Sequence, residues 1–203
     1  MFSANLVSRI TDNLTNIRPE LADSWDMTGK GATFTFRLNP KIVWHDGAPF
    51  TAADVQFGVN LCVNPPPGRL PCLWKEQVYR NLVGLDVLDE RTIRFRFDPP
   101  RPTFLADLGE PRNNVAHPKH LMEPLLVKNP NVNPSDVKFV GTGPFKVKDY
   151  DFKQYINLDR SDTFYKPGLP YLDGIQFLIM EDPTLQYAAF RTGKLDGTAK
   201  AVG

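Results

Sequence analysis

Thr33-Phe34-Thr35-Phe36-Arg37-Leu38, then Asn39-Pro40, Ile42-Val43-Trp44, Asp46-Gly47 and Thr51-Ala52-Ala53-Asp54-Val55, is the stretch that decides the fold class. Apolar and polar residues alternate from Thr33 to Leu38. Phe34, Phe36 and Leu38 therefore share one face, as in a strand with a single buried side. Asn39-Pro40 breaks that strand, Ile42-Val43-Trp44 predicts a second short one, and Asp46-Gly47 predicts a turn. Thr51 is placed to cap a helix, with Asp54 in the position of the reciprocal acid of a capping box. Val55, Val59 and Val63 recur at i, i+4 and i+8, with Phe57 and Leu61 beside them, so one stripe of this helix faces a core.

Downstream, Val83 to Val87 and Thr92 to Phe97 both alternate and are joined by Asp89-Glu90-Arg91, which predicts a β-hairpin. Val83, Leu85 and Val87 are expected to oppose Ile93, Phe95 and Phe97 on the buried face, leaving Arg94 and Arg96 on the open one. Gly141-Thr142-Gly143-Pro144 excludes helix, and Phe145 to Tyr150 leads out of it as a strand. Tyr155 to Leu158 predicts another strand, and Ile175 to Met180 a strand covered on both faces. Asp182-Pro183 then opens a helix with Leu185, Ala188, Ala189 and Phe190 inward, and Gly193 closes it. Strands and helices thus interleave as a mixed α/β (α+β) chain.

Composition narrows the function classes. The chain has 203 residues, of which 24 are Lys or Arg and 23 Asp or Glu, a formal net charge of +1. That balance offers no electrostatic drive toward nucleic acid or an anionic membrane. The 19 prolines predict many turns and extended connections. No apolar run approaches the roughly 20 residues of a membrane span, and MFSANLVSRITDNL lacks the charged and apolar regions of a signal peptide. NPNVNP at residues 129–134 is the best linker candidate.

The blocks of this sequence carry a family resemblance. Pro19-Glu20-Leu21-Ala22-Asp23-Ser24-Trp25, Phe34 to Leu38, and His45-Asp46-Gly47-Ala48-Pro49-Phe50-Thr51-Ala52-Ala53-Asp54-Val55 resemble the N-terminal signature of family 5 solute-binding proteins. Gly141 to Phe145, Asp182-Pro183-Thr184 and Arg191-Thr192-Gly193-Lys194-Leu195-Asp196 match its later blocks in order. The resemblance implies the N-terminal part of a two-lobed periplasmic-binding-protein fold of type II, less than half of the whole. Residues 1–136 would be an inserted subdomain of the first lobe, and residues 137–203 the start of its main α/β portion. It implies a monomer outside the cytoplasmic membrane, periplasmic or lipid-anchored. Such a protein hands a small ligand, a peptide or a metal chelate such as nickel, to an ABC permease with no chemical step and no cofactor. A ligand-sensing or protein-interaction module on the same scaffold is the alternative. One lobe alone is expected to bind weakly or not at all, because such receptors trap ligand by closing two lobes on it.

The resemblance also suggests a site. Trp74 resembles an aromatic wall, and Arg112, with Asn113 after it, resembles an arginine beside an anionic metal complex. An Arg fork clamps carboxylates bidentately and Trp supplies a flat apolar wall. Burial in a core for Trp74, and an ordinary ion pair for Arg112, remain open alternatives. Asn113-Asn114 departs from the nickel-type pattern of Pro and an aromatic, which leaves the ligand class open. Cys62 and Cys72, the two cysteines, flank a proline-rich loop and are expected either to form a disulfide holding the loop that bears Trp74 or to remain buried thiols. Three sharper readings are weak: His117, His120 and Glu123 as metal ligands, His45-Asp46 as an acid/base pair, and Gly141-Thr142-Gly143 as a phosphate loop, where Pro144 removes a donor.

Overall fold

A four-stranded antiparallel sheet with one aromatic face organises the computed structural model, which describes residues 5–9, 16–68, 72–110, 115–130, 132 and 139–198. Its strands are β3 (Ala22–Thr28), β4 (Thr33–Leu38), β5 (Leu82–Asp89) and β6 (Thr92–Phe97), in the order β3-β4-β6-β5. Before them, β1 (Val7–Arg9) and β2 (Ile17–Pro19) form a two-stranded ribbon. A second antiparallel sheet, β7-β8-β9, is built from Phe145–Asp151, Tyr155–Arg160 and Gly174–Leu178. The helices are α1 (Ala52–Val63), α2 (Lys75–Val78), α3 (Phe104–Leu108), α4 (Lys119–Lys128) and α5 (Pro183–Arg191).

The alternation in β4 and β6 produces the core. Phe34, Phe36, Ile93 and Phe95 are fully buried, with Leu38 and Phe97 nearly so. Phe104, from α3, stands over this face. Its ring centroid lies 5.1 Å from Phe34, 5.1 Å from Phe95 and 4.6 Å from Phe97. The pairs are tilted rather than stacked, as ring quadrupoles prefer. Helix α1 closes the same core through Val55 and Val59. Its start is as expected: Asp54 Oδ2 accepts the Thr51 N–H at 2.9 Å and the Thr51 hydroxyl at 3.0 Å. The other oxygen, Oδ1, accepts the N–H of Lys119 at 3.0 Å, so one buried carboxylate caps α1 and α4 together.

Four local expectations need correction. Ile42-Val43-Trp44 makes only an isolated bridge, Val43 to Pro49; Ile42 and Trp44 are buried without a strand. Their burial is achieved by a turn around Asp46-Gly47, where the Gly47 N–H donates to the Trp44 carbonyl at 2.8 Å. In the hairpin, Leu82 rather than Val83 pairs with Phe97, because the register shifts between Leu82 and Gly84. A bulge turns alternate side chains to the other face, and Val83 is 59% exposed. β9 is an edge strand, with no layer over it among the described residues, so Phe177 and Leu178 are exposed where covered faces were expected. In α5 only Ala189 is buried, while Leu185 and Phe190 are 57% and 45% exposed. Apolar periodicity marks a face suited to burial, but burial itself needs a second layer. The ends of α5 are as expected: Asp182 Oδ1 accepts the Thr184 N–H at 2.8 Å, Pro183 is the first helical residue, and Gly193 takes φ 71°.

Candidate functional site

Trp74 is held by the chain on both sides. Cys62 lies in the last turn of α1 and is joined to Cys72 as a disulfide, with Cα atoms 4.7 Å apart. The Cys72 N–H donates to the Cys62 carbonyl at 3.3 Å, and the Cys72 carbonyl accepts the Lys75 N–H at 3.1 Å. Trp74 then occupies the N-cap position of α2, its carbonyl accepting the Val78 N–H at 2.8 Å. The indole is half-buried and packs against the main core, while the adjacent Leu73 is 92% exposed. Trp74 is therefore partly packed against the core and partly open to solvent.

Arg112 and Asn113 lie outside the described residues, but the points flanking them are fixed. Glu110 Oε2 pairs with Arg9 at 2.6 Å, and the Glu110 carbonyl accepts Asn5 Nδ2 at 2.7 Å. On the other side, Val115 is buried against α1 at Gly58, where an added Cβ would stand 2.4 Å from the Val115 carbonyl oxygen. Helix α2 packs on α3, and Arg101 ties them, donating to Asp107 at 2.8 Å, to the Arg80 carbonyl at 3.3 Å and to the Gln77 carbonyl. Cys62, Val78, Leu108 and Val115 belong to one core cluster, with Trp74 on its margin.

Two polar joints were not legible as such. His45 engages the segment that opens the second sheet: its backbone N–H donates to the Gly141 carbonyl at 2.8 Å, Nδ1 accepts the Gly141 N–H at 3.2 Å, and Nε2 lies 2.9 Å from the Gly143 carbonyl. Burial holds its pKa below the ordinary imidazole value, against the favourable Gly143 carbonyl. Glu20 Oε1 accepts from the Tyr165 hydroxyl at 3.1 Å and from Lys166 at 3.2 Å. Burial, then the Glu20 charge, raises the Tyr165 pKa. The advance signal was that His45, Gly141, Gly143 and Glu20 stand in the blocks shared with the family; Tyr165 and Lys166 stand outside them.

The sharper chemical readings find no support in this geometry. Asp46 turns away from His45 and meets His120 Nε2 at 2.7 Å. Partial burial pushes its pKa up, but the His120 hydrogen bond and the Ala48 N–H outweigh this and hold it below the usual value. His45 and Asp46 therefore do not form a proton-relay pair. Among the described residues no group of three His, Cys, Asp or Glu side chains is placed to hold a metal. Among the described residues, two open depressions lie on sheet faces. One, of about 590 Å³, is lined by Thr33, Thr35, Arg37, Arg94 and Arg96. The other, of about 440 Å³, lies along β7-β8-β9 and is lined by Lys148, Asp149, Asn157 and Gln176 among others. No helix among the described residues is long and apolar enough to cross a membrane.

Comparison with known proteins gives one answer at three levels. The glutathione-binding protein GsiB of Pectobacterium atrosepticum is 27% identical over 174 residues, covering 86% of this chain and 32% of the relative. Among solved structures, AgaA from A. tumefaciens R10 in complex with agropinic acid superposes with a TM-score of 0.80. It is 27% identical, with 96% of this chain and 37% of that one covered. NikZ from Campylobacter jejuni in complex with Ni(L-His) gives a TM-score of 0.79 at 25% identity, covering 97% and 37%. The chain thus spans about a third of the length of these relatives, consistent with one part of a two-lobed binding protein. The family model for bacterial extracellular solute-binding proteins, family 5 middle, matches residues 16–202, and the chain belongs to that family.

Proposed function

We propose that this chain forms part of the ligand-binding body of a receptor that captures a small solute outside the cytoplasmic membrane and delivers it to an ABC permease. The family match over residues 16–202 carries the reading. The ligand class is an oligopeptide or dipeptide, or a nickel chelate, in keeping with relatives that bind glutathione or Ni(L-His). Trp74, Arg112 and Asn113 form this chain's share of the site: the half-buried indole offers a wall, and the guanidinium takes the ligand's carboxylate. No bond is made or broken, and the receptor acts as a monomer.

Residues 1–136 act as an inserted subdomain and residues 137–203 as the opening of the main α/β portion. The separation of the β3-β4-β6-β5 sheet from the β7-β8-β9 sheet supports this division. The disulfide Cys62–Cys72 fits an oxidising compartment outside the cytoplasmic membrane. Titration calorimetry with glutathione, short peptides, and nickel with and without histidine tests the reading, on this chain and on a polypeptide of the relatives' length. Micromolar or tighter binding of one class to the longer polypeptide is expected. Heat from none of them, or turnover of any, would sink it.

A further inference from the structure

Among the described residues, one polar tie between the segment leading into the three-stranded sheet and the rest of the molecule is an imidazole with both nitrogens committed. Nδ1 of His45 accepts the Gly141 N–H, so the ring proton resides on Nε2, which faces the Gly143 carbonyl at 2.9 Å. The backbone N–H of His45 completes the clasp on the Gly141 carbonyl. A second proton on the ring must go to Nδ1, directly against the Gly141 N–H at 3.2 Å. Two donors would then face one another across a part-buried contact, and the Gly141 bond is lost. We propose that His45 is an acid-sensitive latch, whose protonation breaks the Gly141 bond and loosens residues 141–143 from the turn between Trp44 and Pro49.

The charged surroundings favour the neutral ring. Lys146, from β7, opposes a positive imidazole. Asp46, from the same turn, favours one, but its carboxylate is taken up by His120 of α4 at 2.7 Å. The sign follows from linkage. A detached His45 takes up a proton near its ordinary value of 6.5, whereas the clasped ring, its affinity lowered by burial, does not. The clasp is therefore intact above that value and weakens as pH falls through it, with about tenfold per pH unit the limiting slope of its opening equilibrium.

Amide exchange of Gly141, followed by NMR from about pH 7.5 to about pH 5 on the whole chain, tests this. After correction for intrinsic exchange, protection at Gly141 is expected to fall by up to about fivefold over the first unit below the ordinary imidazole value. His45→Gln, which offers one acceptor and one donor without titrating in this range, should show flat protection. His120→Asn should leave the wild-type slope in place. Constant protection in the wild type, an equal loss in His45→Gln, or a slope that vanishes in His120→Asn each overturns the latch. If His45→Gln does not fold, the ring resonances of the wild type decide: titration at or above the ordinary value refutes the proposal, and a lower midpoint with the proton on Nε2 supports it.

Discussion

Asp54 and Lys119 meet at 3.0 Å, a buried carboxylate oxygen accepting the N–H at the first residue of α4, although 65 positions separate them in sequence. The second oxygen of the same carboxylate caps α1 through Thr51. A single acid therefore fixes where two helices begin and sets them against each other.

Replacing it tests that double role. Asp54→Ala removes both caps at once and is expected to destabilise the chain by about 2–3 kcal/mol in urea unfolding. Asp54→Asn keeps an acceptor and should cost about half as much. Equal losses in the two variants would mean that charge, not acceptor geometry, is what matters at this position.

Phe104 should be the most sensitive residue of α3. It is fully buried and touches aromatic rings from both central strands of the four-stranded sheet. Phe104→Ala is expected to cost about 3–5 kcal/mol, read from the denaturant midpoint at unchanged slope. Phe104→Leu should recover a large part of it. A loss below about 1 kcal/mol would show that the core collapses around the missing ring.

The candidate ligand residues have a direct test. Trp74→Ala and Arg112→Ala, in a polypeptide of the relatives' length, should each weaken binding of the cognate solute at least about tenfold by calorimetry. Because Trp74 also packs on the core, its variant is to be compared at equal fraction folded. Wild-type affinity in both variants would remove the site.

The loop between the cysteines closes over ten positions. In the chain-entropy model such a bridge stabilises by about 3 kcal/mol, so Cys62→Ser with Cys72→Ser should lower the unfolding free energy by that order. Mass spectrometry after alkylation checks the bond itself: the untreated chain should take up no alkyl group and the reduced chain two. Alkylation before reduction would show that the thiols are free.

The parts of the fold that were legible in sequence are those governed by short-range rules. β4, α1 with its acid cap, β6, and the Asp182-Pro183 start and Gly193 end of α5 all follow from alternation, capping or a positive φ. Phe104 was not legible as a hub, because nothing within the short Phe104–Leu108 helix says which strands it will meet. Val83 was misplaced for a related reason: a bulge shifts register by one residue, and alternation cannot show where the ladder slips. Trp74 was singled out by resemblance alone, and the packing of α2, which it caps, on α3 depends on Arg101, far away in sequence.

By itself, then, the sequence determined the kinds of element, their order, and the family to which their blocks belong. Periodicity and capping act over a few residues and are written into neighbouring side chains. Tertiary structure alone decided that Asp54 caps a second helix, that His45 clasps Gly141 and Gly143, and that Phe177 and Leu178 of β9 and Leu185 and Phe190 of α5 stay exposed. Each of these depends on what distant chain is brought alongside, and hydrogen bonds and burial respond to proximity in space rather than to spacing along the chain.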